Sequence, residues 1–134
     1  MKIVDVEGIG AVNAGKLDGA GISSTDALLE QGAKPGGRAT IAEATGISAK
    51  LILEWVNHVD LMRIPGVGSE YSDLLEAAGV DSPAELAQRN AANLAETFQE
   101  LDAARPNTVR RVPSLATVEE WITIAKGMDK TVSH

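Results

Sequence analysis

An all-α fold, an internally duplicated tandem of about eight short helices, follows from three features of this 134-residue chain. Helix punctuation is dense. Apolar residues recur at helical spacing, with almost no stretch alternating at the period of two that a half-buried strand requires. The sequence also matches itself at a fixed offset.

Taken in order, helices are expected near 11–20, 24–31, 37–45, 48–62, 69–78, 83–89, 91–103 and 115–127, after a short apolar run, Ile3-Val4-Asp5-Val6, that reads as a strand. Gly46 is placed to end the third helix in the left-handed conformation, and Ser48 to cap the fourth. Within that fourth helix Leu51, Ile52, Trp55, Val56 and Val59 form one apolar stripe. Ser82-Pro83-Ala84-Glu85 carries a capping serine, proline at the first helical position and a glutamate placed to return a hydrogen bond.

Shifting the chain by 58 residues lays Val6-Glu7-Gly8-Ile9-Gly10 on Ile64-Pro65-Gly66-Val67-Gly68, then Leu17 on Leu75, Ala20-Gly21-Ile22 on Ala78-Gly79-Val80 and Ser24 on Ser82. At a shift of 66, Glu54-Trp55-Val56 meets Glu120-Trp121-Ile122, so the second half carries about eight extra residues, placed around Ala104-Arg105-Pro106-Asn107. The reading is one compact domain, 1–134, with repeats of about 1–60 and 61–134. Trp55 and Trp121, at matched positions, are expected to anchor the core between repeats.

The segment from Leu61 to Leu75, with Ile64-Pro65-Gly66-Val67-Gly68 at its centre, resembles the helix-hairpin-helix motif. Its first glycine permits a positive φ, the apolar residue between the glycines plugs the space between two helices, and the second glycine lets another backbone approach. The helix that follows opens with unpaired N–H groups, from Ser69 and Glu70 in the second hairpin and Ala11 and Val12 in the first, which can hold an anion. The first hairpin departs from the pattern, with Glu7 in place of proline and no room for a leading helix before it. Together with Gly36-Gly37-Arg38, Ala44-Thr45-Gly46-Ile47, Trp55-Val56-Asn57 and Val109-Arg110-Arg111-Val112-Pro113, the double hairpin resembles an uncharacterised bacterial domain family built of tandem helix-hairpin-helix units, over nearly the whole chain. That resemblance implies an all-α fold and carries no activity or binding residues with it. The compact tandem hairpins of DNA-repair proteins are a looser likeness, since theirs lie much closer in sequence.

Charge separates the possible partners. With 12 Lys+Arg against 19 Asp+Glu the net charge is −7, unfavourable for a phosphate backbone. Residues 46–103 carry 3 basic and 10 acidic side chains, while 104–134 carry 5 basic and 3 acidic. Each carboxylate near a bound phosphate costs about 0.5–1 kcal/mol at 8 Å and high dielectric. The second hairpin is therefore disfavoured as a phosphate site, and the first, near Lys2 and Lys16, less so. Arg105, Arg110 and Arg111 form a basic patch able to grip an acidic partner or phosphate, or simply to pair with nearby carboxylates. Tyr71 reads equally as an outward contact or as packing against a neighbouring helix.

Several chemistries drop out. The chain has no cysteine, and its histidines, His58 and His134, lack companions at ligand spacing, so no metal site is expected. Gly10 to Lys16 matches the spacing of a nucleotide-binding loop, but Leu17 stands where a magnesium-binding hydroxyl is needed. No catalytic residue and no cofactor is expected, nor a membrane span or signal segment, which favours a cytoplasmic protein. The leading expectation is a non-enzymatic module binding another protein, possibly itself, through Gly8, Gly10, Ala11 and Lys16 of the first hairpin, Gly66, Gly68, Ser69 and Tyr71 of the second, and the arginine patch. The alternative is weak, sequence-independent nucleic-acid binding through the same hairpins or Arg110-Arg111.

Overall fold

A computed structural model describes residues 1–6, 8–106 and 109–134. Among the described residues it is all-helical, with α1 (Gly10–Gly19), α2 (Thr25–Gly32), α3 (Pro35–Thr45), α4 (Ala49–Leu61), α5 (Ser69–Ala77), α6 (Pro83–Ala87), α7 (Ala91–Ala104) and α8 (Leu115–Lys126). Ser48 and Ser82 cap as the sequence indicates, and Ser24 and Ser114 do the same. The side chains of Ser24, Ser48, Ser82 and Ser114 accept the amides of Ala27, Leu51, Glu85 and Thr117 at 3.1–3.2 Å. Gly46 ends α3 at φ +77°. Glu85 differs from expectation in one respect, because its carboxylate engages Arg89 Nε one turn later, at 3.1 Å.

The expected strand at Ile3–Val6 is instead a 3-10 turn, Ile3–Asp5. Its amides satisfy themselves locally, Asp5 N–H on Lys2 C=O and Val6 N–H on Ile3 C=O, and its sheet-like pairing is confined to one isolated bridge between Lys2 and Ser24. The turn puts Ile3 and Val6, three residues apart, into the core together, which the alternating faces of a strand would forbid.

The chain divides into two compact units, Met1–Asp60 with Lys130–His134, and Leu61–Asp129. In the first, α2 packs on α3 and α1 lies on α3 and the 3-10 turn, around a core that includes Leu17, Ile22, Ile52, Trp55 and Val56. Arg38 is buried at its edge and donates to Gly32 C=O at 2.9 Å; burial lowers its pKa from the ordinary arginine value by penalising the charge. In the second, α8 packs against α6 and α7 around Leu75, Leu86, Phe98, Val118 and Trp121. Each tryptophan thus belongs to the core of its own unit.

Candidate interaction surfaces at the two turns

Each unit contains a tight turn leading into a helix, and the two are alike in backbone. Ile9 N–H donates to Val6 C=O at 3.2 Å, and Val67 N–H to Ile64 C=O at 3.0 Å. Gly8 and Gly66 hold φ +86° and +91°, the conformation that excludes a β-carbon at low cost only for glycine. Behind each lies a tryptophan edge: a Cβ at Gly8 would stand 3.9 Å from Trp55 Nε1, and one at Gly66 3.4 Å from Trp121 Nε1. Ile9 and Val67 are buried as plugs. The helices also exit alike. Gly21 and Gly79 close α1 and α5 at φ +87° and +89°, while Ile22 and Val80 donate back five residues to Leu17 and Leu75 at 2.9 Å.

The second glycine of each turn differs. Gly10 again has a positive φ, +70°, whereas Gly68 has an ordinary extended φ of −95°. A Cβ at either would meet nothing within 4 Å. Neither backbone angle nor internal packing therefore requires glycine at position 68, and the space above it is open. Among the described residues, neither Ile9 nor Gly68, the residues that open α1 and α5, supplies a side-chain cap.

What lies over the next helical turn separates the two units. In the second, the chain around Arg110 is laid across the start of α5: Glu70 Oε1 accepts the Arg110 amide, and Tyr71 Oη donates to Arg111 C=O at 2.8 Å. Tyr71 is half-buried, its ring 5.3 Å from that of Trp121 and tilted by 57°. Ser69 is also half-buried, whereas Gly66, Gly68, Arg110 and Arg111 are exposed. The arginine pair, 40 residues away in sequence, therefore sits beside the acidic second turn. Arg105, at the end of α7, lines a cavity of about 480 Å³ with Asp73 and Leu74 of α5 and with Leu101, Asp102 and Val109. The part of the extra loop at 107–108 lies outside the described residues.

In the first unit the matching face of α1 is more open among the described residues, although Asn13, at the place of Tyr71, is half-buried. Gly8, Gly10, Ala11, Val12 and Lys16 are all exposed, and α1 buries only Ala14 and Leu17. Val12 is 74% exposed, the most open large hydrophobic among the described residues; Met1 is 56% exposed, Leu115 in the second unit 46% and Val4 44%. Added β-carbons at Gly15 and Gly19 would also meet nothing within 4 Å. Lys16 stands about 9 Å along the helix from Gly10, away from the turn itself. The sequence points to Val12 only through its backbone N–H, not through its side chain or the open face around it, although the scarcity of large apolar residues in Gly10–Gly19 is a usable signal.

The fold and these surfaces define an all-α chain of two compact helical units. Residues 7–128 match the profile of a family described as a domain of unknown function (DUF4332), and the chain belongs to that family. No curated protein and no solved structure matches it. Among the described residues no helix is long and apolar enough to cross a membrane.

Proposed function

We propose that this chain is a non-enzymatic interaction module that binds another protein, a second copy of itself included, through the first turn and the open face of α1. The observation that carries this reading is the exposure of Val12 at 74%, beside helix positions 15 and 19 where no side chain keeps a partner away. An isolated exposed valine is ordinary. Here, however, Met1, Val4 and Val12 make up three of the four large exposed hydrophobics among the described residues, all within the first twelve positions. At the matching place in the second unit, the chain's own residues 110–111 cover the helix. The same reading takes the two units as unequal copies of one helix-hairpin-helix unit, supported by the paired glycines, tryptophans and helix exits, in a cytoplasmic bacterial protein.

A photo-crosslinking residue placed at Val12 of the full chain in living cells tests the proposal. Discrete protein adducts are expected from position 12 and none from the exposed Glu43 on α3. Burying one valine is worth about 1.5–3 kcal/mol, so Val12→Asp should weaken the recovered complex about ten-fold or more. Equal, diffuse labelling from positions 12 and 43 would overturn it.

Two observations favour a second reading, phosphate-backbone binding at the second turn. Gly68 has no internal reason to be glycine, and the backbone of Arg110 and Arg111 lies against the start of α5. Glu70 and Asp73 oppose it. Single-stranded and duplex DNA binding at low salt, with an affinity that falls steeply as salt rises and is lost in Arg110→Glu, Arg111→Glu, would replace the protein-binding reading with this one.

A further inference from the structure

After α8 the chain returns to the first unit, and residues 130–134 settle in a groove formed by the end of α2, the start of α3 and α4. Val132 is buried among the first unit's core residues. Both backbone groups of Ser133 are used: its N–H donates to Ala33 C=O at 2.8 Å, and its C=O accepts from Arg38 Nη2 at 2.7 Å. The His134 ring Nε2 lies 3.0 Å from Asn57 Oδ1 and, in the tautomer carrying its proton there, donates to it. This is a peptide held by one apolar pocket, a backbone clamp on the next residue and a side-chain acceptor for the one after.

We propose that this groove is a peptide-docking site that residues 130–134 occupy in cis. Its outside ligand is a short peptide segment carrying a β-branched aliphatic residue, then a residue read through its backbone alone, then a side-chain hydrogen-bond donor. The groove is shaped by the unit itself. A Cβ at Gly37 would stand 2.0 Å from Gln31 C=O, and one at Gly32 2.7 Å from Val56 Cγ2, so two missing side chains bring α2, α3 and α4 together. That approach lets Arg38 anchor one guanidinium nitrogen on Gly32 C=O at 2.9 Å while the other reaches Ser133 C=O at 2.7 Å, so part of the clamp is held by the unit itself. Ala33, Arg38 and Asn57 all lie within the span 7–128 that matches the family, whereas residues 130–134 lie outside it. That strap is also lightly attached, since Lys130, Thr131, Ser133 and His134 remain exposed and Val132 is its one buried side chain. This surface is independent of the turns and of any reading placed on them.

The test uses the full chain with Val132→Asp, which empties the apolar pocket of its cis occupant, and a synthetic peptide with the sequence of residues 130–134, Lys-Thr-Val-Ser-His. Titration followed by amide NMR should shift the Ala33, Arg38 and Asn57 signals saturably. In the unsubstituted chain the tethered strap competes at an effective concentration on the order of millimolar, so apparent affinity there should be at least about ten-fold weaker. A peptide with Asp in place of Val should shift nothing. Absence of saturable shifts in a folded Val132→Asp chain overturns the proposal. Should that variant lose its first unit, hydrogen exchange on the unsubstituted chain decides the matter. An exchangeable strap requires the Ser133 amide, hydrogen-bonded to Ala33 C=O, to exchange at least about a hundred-fold faster than those of Ile52 and Val56, and equal rates overturn the proposal.

Discussion

The turns at Val6–Ile9 and Ile64–Val67 share a hydrogen bond, a left-handed glycine, a buried plug and a tryptophan edge, yet they present opposite surfaces. Over the second, Arg110 and Arg111 are tied down by Glu70 and Tyr71. Over the first, Val12 occupies the position matching Glu70 and Asn13 that matching Tyr71, and Val12 faces solvent. Turn geometry is therefore a scaffold property, set by glycine and the plug, whereas the surface is set by the first helical turn and by whatever chain is long enough to reach it. A motif that recurs within one molecule need not repeat its job.

The comparison can be broken most severely at the tryptophans. Trp55→Ala and Trp121→Ala should each cost about 3–5 kcal/mol, as buried aromatics do on truncation to alanine. Hydrogen exchange should show the loss of protection concentrated in the substituted unit; uniform loss across both would falsify the division into separately packed units. A somewhat smaller effect should mark a device for which the second unit shows no equal. Gly37→Ala forces a Cβ to within 2.0 Å of a backbone oxygen and should destabilise the first unit by about 3 kcal/mol, while Gly36→Ala, where a Cβ meets nothing within 4 Å, should be neutral or mildly stabilising. Urea unfolding of the two variants side by side checks this, and similar midpoints would contradict it. The smallest effect concerns the covered surface. Tyr71→Phe removes the hydrogen bond to Arg111 and should cost about 1 kcal/mol, with faster exchange around 110–112, whereas Asn13→Ala at the matching place should leave stability within about 0.5 kcal/mol of the parent.

Local structure was legible to the extent that local chemistry decides it. Capping serines at 48 and 82 and left-handed glycines at 21, 46 and 79 act within four or five residues, and the helices begin and end where these say; Ser24 and Ser114 act in the same local way. Ile3–Val6 misled because four residues rich in β-branched side chains read as a strand, while a strand needs a partner that the fold supplies only as one bridge at Lys2 and Ser24. The surfaces were less legible. Gly36-Gly37-Arg38 stood out as a pattern, but its purpose, a close helix approach and a clamp on Ser133, depends on a residue 95 positions away. Charge summed along the chain separated Arg110 and Arg111 from the acidic second turn that they adjoin in space.

By itself, then, the sequence determined the all-α character, the placing of the helices, the two glycine turns and the residues that plug them, because φ preference, capping and apolar periodicity are properties of a few neighbouring residues. Only the tertiary structure decided which turn is covered and which is more open, that Tyr71 is a strut, and that residues 130–134 complete the first unit. Those outcomes depend on where distant backbone amides and carbonyls find partners once the helices have packed, and that pairing leaves no periodic trace along the chain.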